Sequence, residues 1–200
     1  MKKLSVVLGT VLILSATVFG ETLAQTDREK GIKYLEQTRD GVVQATKGLS
    51  DAQMTFKSGP DRWSVAETLE HIATAEGYIL QSVSTQIMKA PAGAADRDTA
   101  KIDAMVLAMV PDRSRKAEAP APLVPKGQST PAETLDRFLK ARARTIEFLK
   151  STPDLRDHVA DSPIGQKLDG YEWVLFIAAH SERHTKQILE VEADPGYPKK

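Results

Sequence analysis

The chain has 200 residues, 27 of them basic and 27 acidic, with four histidines and no cysteine. So even a balance argues against a surface built for nucleic acid. Without cysteine no disulfide or thiolate site can form, so the core must hold by packing alone and a soft metal must be held by imidazole.

Lys2 and Lys3 precede an almost unbroken apolar run from Leu4 to Phe19, and Val18-Phe19-Gly20 and Thr22-Leu23-Ala24 both suit a cleavage site. The pattern predicts a signal peptide over residues 1–24, a single folded domain over residues 26–195, and a periplasmic or extracellular location. The apolar run stops short of the roughly twenty residues that a membrane-spanning helix needs. No stable membrane association is therefore expected once the leader is cleaved, and retention as an anchor is the alternative. The missing cysteine excludes a lipoprotein anchor.

Four long helices are predicted, and strand signals are absent. The first runs from about Asp27 to Leu49, with Ile32, Leu35, Val42, Val43 and Thr46 on one stripe. The second begins at Ser64, where Ser64-Val-Ala-Glu67 has the spacing of a capping box, and continues to about Met88. Its stripe is Val65, Leu69, Ile72, Ile79, Leu80, Val83 and Ile87. The third starts at Thr130, with Pro131 at the first helical position and Glu133 completing a second capping box, and extends to about Ser151. The fourth starts near Asp169 and ends near Glu192, before Pro195 and Gly196. Its first half is apolar on every side, which makes it the most buried element. Between the second and third helices, Thr99 to Val110 reads as a short helix and Pro111 to Gln128 as a long irregular crossover. Such a length suggests a cover over an opening of the bundle.

His180 and His184 lie one helical turn apart on the fourth helix, on the face that also carries Trp173, Ile177, Ile188 and Val191. An i, i+4 pair projects both imidazoles to one side, close enough to share a metal ion. His71 lies on the second helix beside its apolar stripe, with Glu67 one turn earlier and Tyr78 two turns later. The candidate metal ligands are thus His71, His180 and His184. Glu67 is the candidate catalytic residue, as a base or as a partner that orients His71. The competing view is structural: a helical histidine is often a satisfied core residue. His158, in a polar stretch, reads as a loop residue, Glu182 and Arg183 as rim charges, and Gln187 as a hydrogen-bond partner at the pocket edge. Glu76, Arg142 and Arg39 interrupt apolar stripes, which predicts that Glu76 pairs inside the bundle with Arg142, Arg39 or both. No Gly-rich phosphate loop and no serine or cysteine triad can be assembled.

At these residues the chain resembles the DinB-like (DinB/YfiT) superfamily of metal-binding four-helix bundles. The resemblance rests on Trp63-Ser64-x-x-Glu67-x-x-x-His71 and on His180-x-x-Arg183-His184-x-x-Gln187-Ile188, and it spans about Thr26 to Glu192. It implies an all-α four-helix bundle with a long crossover between helices two and three. It also implies a divalent ion, zinc or nickel foremost, on three histidines matching His71, His180 and His184, and it allows a homodimer. Relatives include thiol transferases and thiol-dependent isomerases. Export separates this chain from thiol cofactors that are chiefly cytosolic.

Three neutral imidazoles leave a coordination position free, as at catalytic zinc, where bound water has its pKa lowered towards about 7. The expected function is metal-dependent hydrolysis or transfer on a small molecule. The alternatives are non-catalytic binding of a metal or small ligand, and a dimeric structural bundle.

Overall fold

The structure, a computed structural model, describes residues 23–199. The predicted signal peptide lies outside the described residues except for its last two positions, Leu23 and Ala24. Six α-helices occur in this span: α1 Gln25–Thr46, α2 Asp51–Thr55, α3 Val65–Thr85, α4 Thr99–Met109, α5 Pro131–Ser151 and α6 Gly170–Glu192. The four long ones form an all-α four-helix bundle, in which α1 packs on α5 and α6, and α3 packs on the same two helices. No described helix is long and apolar enough to cross a membrane.

Local chemistry sets where these helices begin. Ser64, Thr130 and Asp169 each accept a bond from the amide three residues on, and Glu67, Glu133 and Glu172 each accept one from the amide of the cap residue. These reciprocal bonds satisfy amides that a helix start otherwise leaves unpaired. Ser50 and Gln53 do the same for the short α2, which periodicity over so few residues does not reveal. Helix α1 ends just before Gly48, whose φ of 68° suits glycine.

Every residue from Gly170 to Ala179 is buried, so the first half of α6 forms the centre of the fold, as its apolar composition predicts. Two apolar clusters fill the bundle. One holds Leu35, Ile79, Ile146 and Ile177, the other Val42, Ile72, Phe138 and Ile188. Between them on the four helices lie Thr38, Glu76, Arg142, Thr145 and Ser181, all at most 5% exposed. Arg142 is the hub: Nε and Nη2 donate to the two Glu76 oxygens at 2.7 and 2.8 Å, Nη1 donates to Leu35 O and Thr38, and Nη2 also to Ser181. The Glu76–Arg142 pair is therefore present. Arg39 takes no part in it; its Nε donates to Asp40 at 2.8 Å near the surface.

A second ionic group anchors the start of α6. Arg97 donates to Asp169 at 2.7 Å and to Glu172, while Arg156 donates to Asp103 at 2.7 Å and to Asp169 at 3.0 Å and lies over the Tyr171 ring. Where no strand is expected, β1 Val159–Asp161 and β2 Lys167–Asp169 form an antiparallel hairpin that feeds Asp169 into its cap. Three residues per strand are too few for alternation to show in the sequence.

Candidate metal centre

The cap at Ser64 fixes the start of α3 so that His71, two turns in, faces the second half of α6. There the buried face of α6 carries His180 and His184 inward. One ring nitrogen from each of the three lies within 4.8 Å of the others, a grouping that can hold a metal ion. His71 Nε2 is 3.1 Å from both His180 Nε2 and His184 Nε2. His71 and His184 are buried at 3% and 8% exposure, and His180 is half-buried.

The outer nitrogens show which way the lone pairs point. His71 Nδ1 lies 2.8 Å from the carbonyl of Leu123, which can only accept, so Nδ1 carries the proton. His184 Nδ1 lies 2.9 Å from Gln187 Oε1. That amide atom also receives Arg113 Nη1 at 3.2 Å, and a guanidinium only donates, so it is the oxygen and His184 Nδ1 must donate too. Burial, reinforced by neighbouring positive charge, pushes the His184 pKa down to about 3; burial lowers those of His71 and His180 as well. In neutral imidazoles with protonated Nδ1, the Nε2 atoms of His71 and His184 present lone pairs to each other at 3.1 Å. Such a contact is repulsive by itself and becomes favourable around a cation. The donor set thus fits a divalent ion.

Aromatic rings wall the cluster. Trp63 lies 4.8 Å from the His71 ring and 6.3 Å from that of His184, and Phe176 stacks on His180 at 6.3 Å and 17°. The crossover covers another side, with the 3₁₀ turn Ala121–Leu123 supplying the carbonyl to His71. Arg183, beside the cluster, donates to the carbonyls of Asp112 and Arg115.

Glu67 does not orient His71. Its oxygens are taken by the amide of Ser64 at 2.8 Å and by Lys57 Nζ at 2.7 Å, so it serves the cap of α3. A backbone carbonyl does the orienting instead. Gln187 lies where the helix spacing places it, against His184. His158 stands apart in the polar segment, bonded to Ala90 O. Sequence reasoning missed Arg113 and Leu123. Both sit in the irregular crossover, where no periodicity distinguishes a residue that reaches back to the bundle from one that faces water.

The sequence profile described as the DinB superfamily matches residues 34–188, a span that contains all three histidines. The chain belongs to the DinB superfamily. This DinB-superfamily chain is 25% identical over 148 residues to the uncharacterized protein YuaE of Bacillus subtilis (strain 168), covering 73% of this chain and 87% of YuaE. It is also similar to the solved structure of YfiT from Bacillus subtilis, described as a probable metal-dependent hydrolase with an unusual four-helix bundle topology. That likeness has a TM-score of 0.55 at 16% identity and covers 89% of this chain and 93% of YfiT. At this identity what is shared is the fold, and it places the DinB-superfamily chain among all-α bundles.

Proposed function

We propose that this DinB-superfamily protein binds one divalent metal ion through His71, His180 and His184 and uses it to hydrolyse, or transfer a group on, a small molecule outside the cytoplasm. The observation that carries this reading is the 3.1 Å approach of the His71 and His184 Nε2 lone pairs, each aimed by a bond at the opposite ring nitrogen. Zinc and nickel both suit an all-imidazole donor set. When bound by three such ligands, the ion supplies a Lewis acid with a coordination position to spare.

The chain's own residues do the rest. Leu123 O and Gln187 hold two imidazoles in the tautomer that presents Nε2. Trp63 and Phe176 exclude bulk water from two sides, and half-buried His180 marks the side from which a small substrate arrives. Glu67 is bound into the α3 cap and receives no base role here. Hydrolysis is preferred because YfiT, whose fold this chain shares, is described as a probable metal-dependent hydrolase. Support for export comes from the Lys2, Lys3 and Leu4–Phe19 leader pattern.

The test is metal content by mass spectrometry on untagged protein, with His71→Ala and His180→Ala alongside. Close to one equivalent of metal, lost in both variants, is expected. No metal after reconstitution with zinc, nickel or iron overturns the reading. Metal without turnover on ester, amide or phosphoester probes would favour a non-catalytic binding module.

A further inference from the structure

Between Asp112 and Gly127 the crossover buries one side chain, Leu123, at 7% exposure. A segment of that length with so little apolar burial is held down by whatever polar bonds it makes. Those bonds converge on the metal centre. At one end Arg183, next to His184, takes the carbonyls of Asp112 and Arg115. Arg113 there grips Glu190 through two bonds of 2.6 and 2.7 Å and donates to Gln187. At the other end His71 holds Leu123 O, and Glu70, next to His71, accepts from the amides of Lys126 and Gly127 at 3.0 and 2.8 Å. Gly127 has a φ of 65°, which lets both amides turn toward that carboxylate.

We propose that residues 112–127 form a strap whose closure is coupled to metal occupancy, with Arg113 positioning His184 through Gln187. The inference rests on the metal-binding reading above. The closed strap sets both tautomers: Leu123 O requires the proton on His71 Nδ1, and the Arg113–Gln187 pair requires it on His184 Nδ1. Closure therefore forces the two Nε2 lone pairs together at 3.1 Å. A cation turns that repulsion into attraction and polarises both Nδ1–H groups, which strengthens their bonds to the strap and its partner. Without a cation, His71 relieves the clash by moving its proton to Nε2 and donating to His184, and then Nδ1 can no longer donate to Leu123 O. Metal thus favours the closed strap, and by linkage the closed strap favours metal to the same degree.

The test is hydrogen exchange on the full chain with and without zinc, together with zinc affinity and the visible spectrum of the cobalt(II) form. Zinc is expected to slow amide exchange across residues 112–127 by about tenfold or more while the amides of α5 are unchanged. Arg113→Met and Gln187→Leu are expected to lose that protection, weaken zinc about 10–100-fold and shift the cobalt(II) spectrum. Gln187→Glu, which keeps an acceptor for both donors, is expected to restore all three, and Lys116→Met, on the exposed part of the strap, to match the wild type. Unchanged zinc affinity in Arg113→Met, with exchange in the strap indifferent to zinc, overturns the coupling and leaves the metal site standing. Failure of the wild type to bind zinc at all overturns both.

Discussion

Arg142 grips Glu76 through two parallel hydrogen bonds of 2.7 and 2.8 Å at the middle of the bundle, where neither residue is more than 2% exposed. The pair separates two apolar clusters and draws Thr38, Thr145 and Ser181 into one layer. Burying two charges is expensive, and the pair offsets this only because every remaining donor has an acceptor. Glu76→Ala removes the counter-charge and leaves a buried guanidinium with two of its donors unpaired, although the bonds to Leu35 O, Thr38 and Ser181 remain. It is expected to destabilise the fold by about 3–5 kcal/mol, read as a lowered urea midpoint. A midpoint equal to that of the wild type would show that the layer contributes nothing to the fold.

Two glycines should respond in opposite directions. At Gly170 an added Cβ would lie 2.8 Å from Met88 Sδ and 3.0 Å from the Leu155 carbonyl, and backbone cannot yield as a side chain can. Gly170→Ala is expected to cost about 1–3 kcal/mol. At Gly77, inside α3, nothing lies within 4 Å of the new atom. Gly77→Ala is expected to stabilise by about 0.5–1 kcal/mol through helix propensity. Thermal melts of the two variants would separate these signs.

Glu172 gives the fold a pH dependence. Burial, reinforced by the Asp169 carboxylate, pushes its carboxyl up to about 7 despite Arg97 nearby. Arg156 Nη1 is 3.5 Å from Glu172 Oε1, which has no hydrogen-bond partner. The ordinary unfolded value for a glutamate is about 4.3. Between those two values the folded chain holds a proton that the unfolded chain has released, so this contribution to stability is present below about pH 4 and is lost as pH rises towards 7. Glu172→Gln is expected to flatten the decline in stability between about pH 4 and pH 7, in denaturant melts taken across that range. Equal slopes for both proteins would refute it.

Metal should raise stability only where the cluster is intact. A ligand at one hundred times its Kd adds about 2.7 kcal/mol to a fold that alone binds it. For a chain of this size that corresponds to a rise in Tm of roughly 5–10 °C. Zinc is expected to give such a rise in the wild type and none in His184→Ala, as followed by calorimetry.

Leu23, at 4% exposure, joins the larger apolar cluster just ahead of α1, and its amide meets Pro153 O at 3.4 Å. Leu23→Ala is expected to destabilise by about 2–4 kcal/mol. A chain beginning at Gln25 should melt lower than one beginning at Glu21, which a side-by-side thermal melt would reveal.

Helix starts were legible at Ser64, Thr130 and Asp169 because a capping box is made within four residues and needs no other part of the fold. The i, i+4 spacing of His180 and His184 is equally local, and the apolar run from Trp173 to Ala179 already marks the buried first half of α6. Choices between distant partners were not legible. Arg39 and Arg142 both interrupt apolar stripes, and only the packing of α1, α3 and α5 brings one of them to Glu76. His71 is held by the carbonyl of Leu123 rather than by Glu67, and a backbone carbonyl leaves no trace in residue identity. Arg113 reaches Gln187 and Glu190 from a segment without periodicity. Bonds between neighbours along the chain follow from local spacing, whereas bonds between helices and the strap depend on how those elements come to lie together.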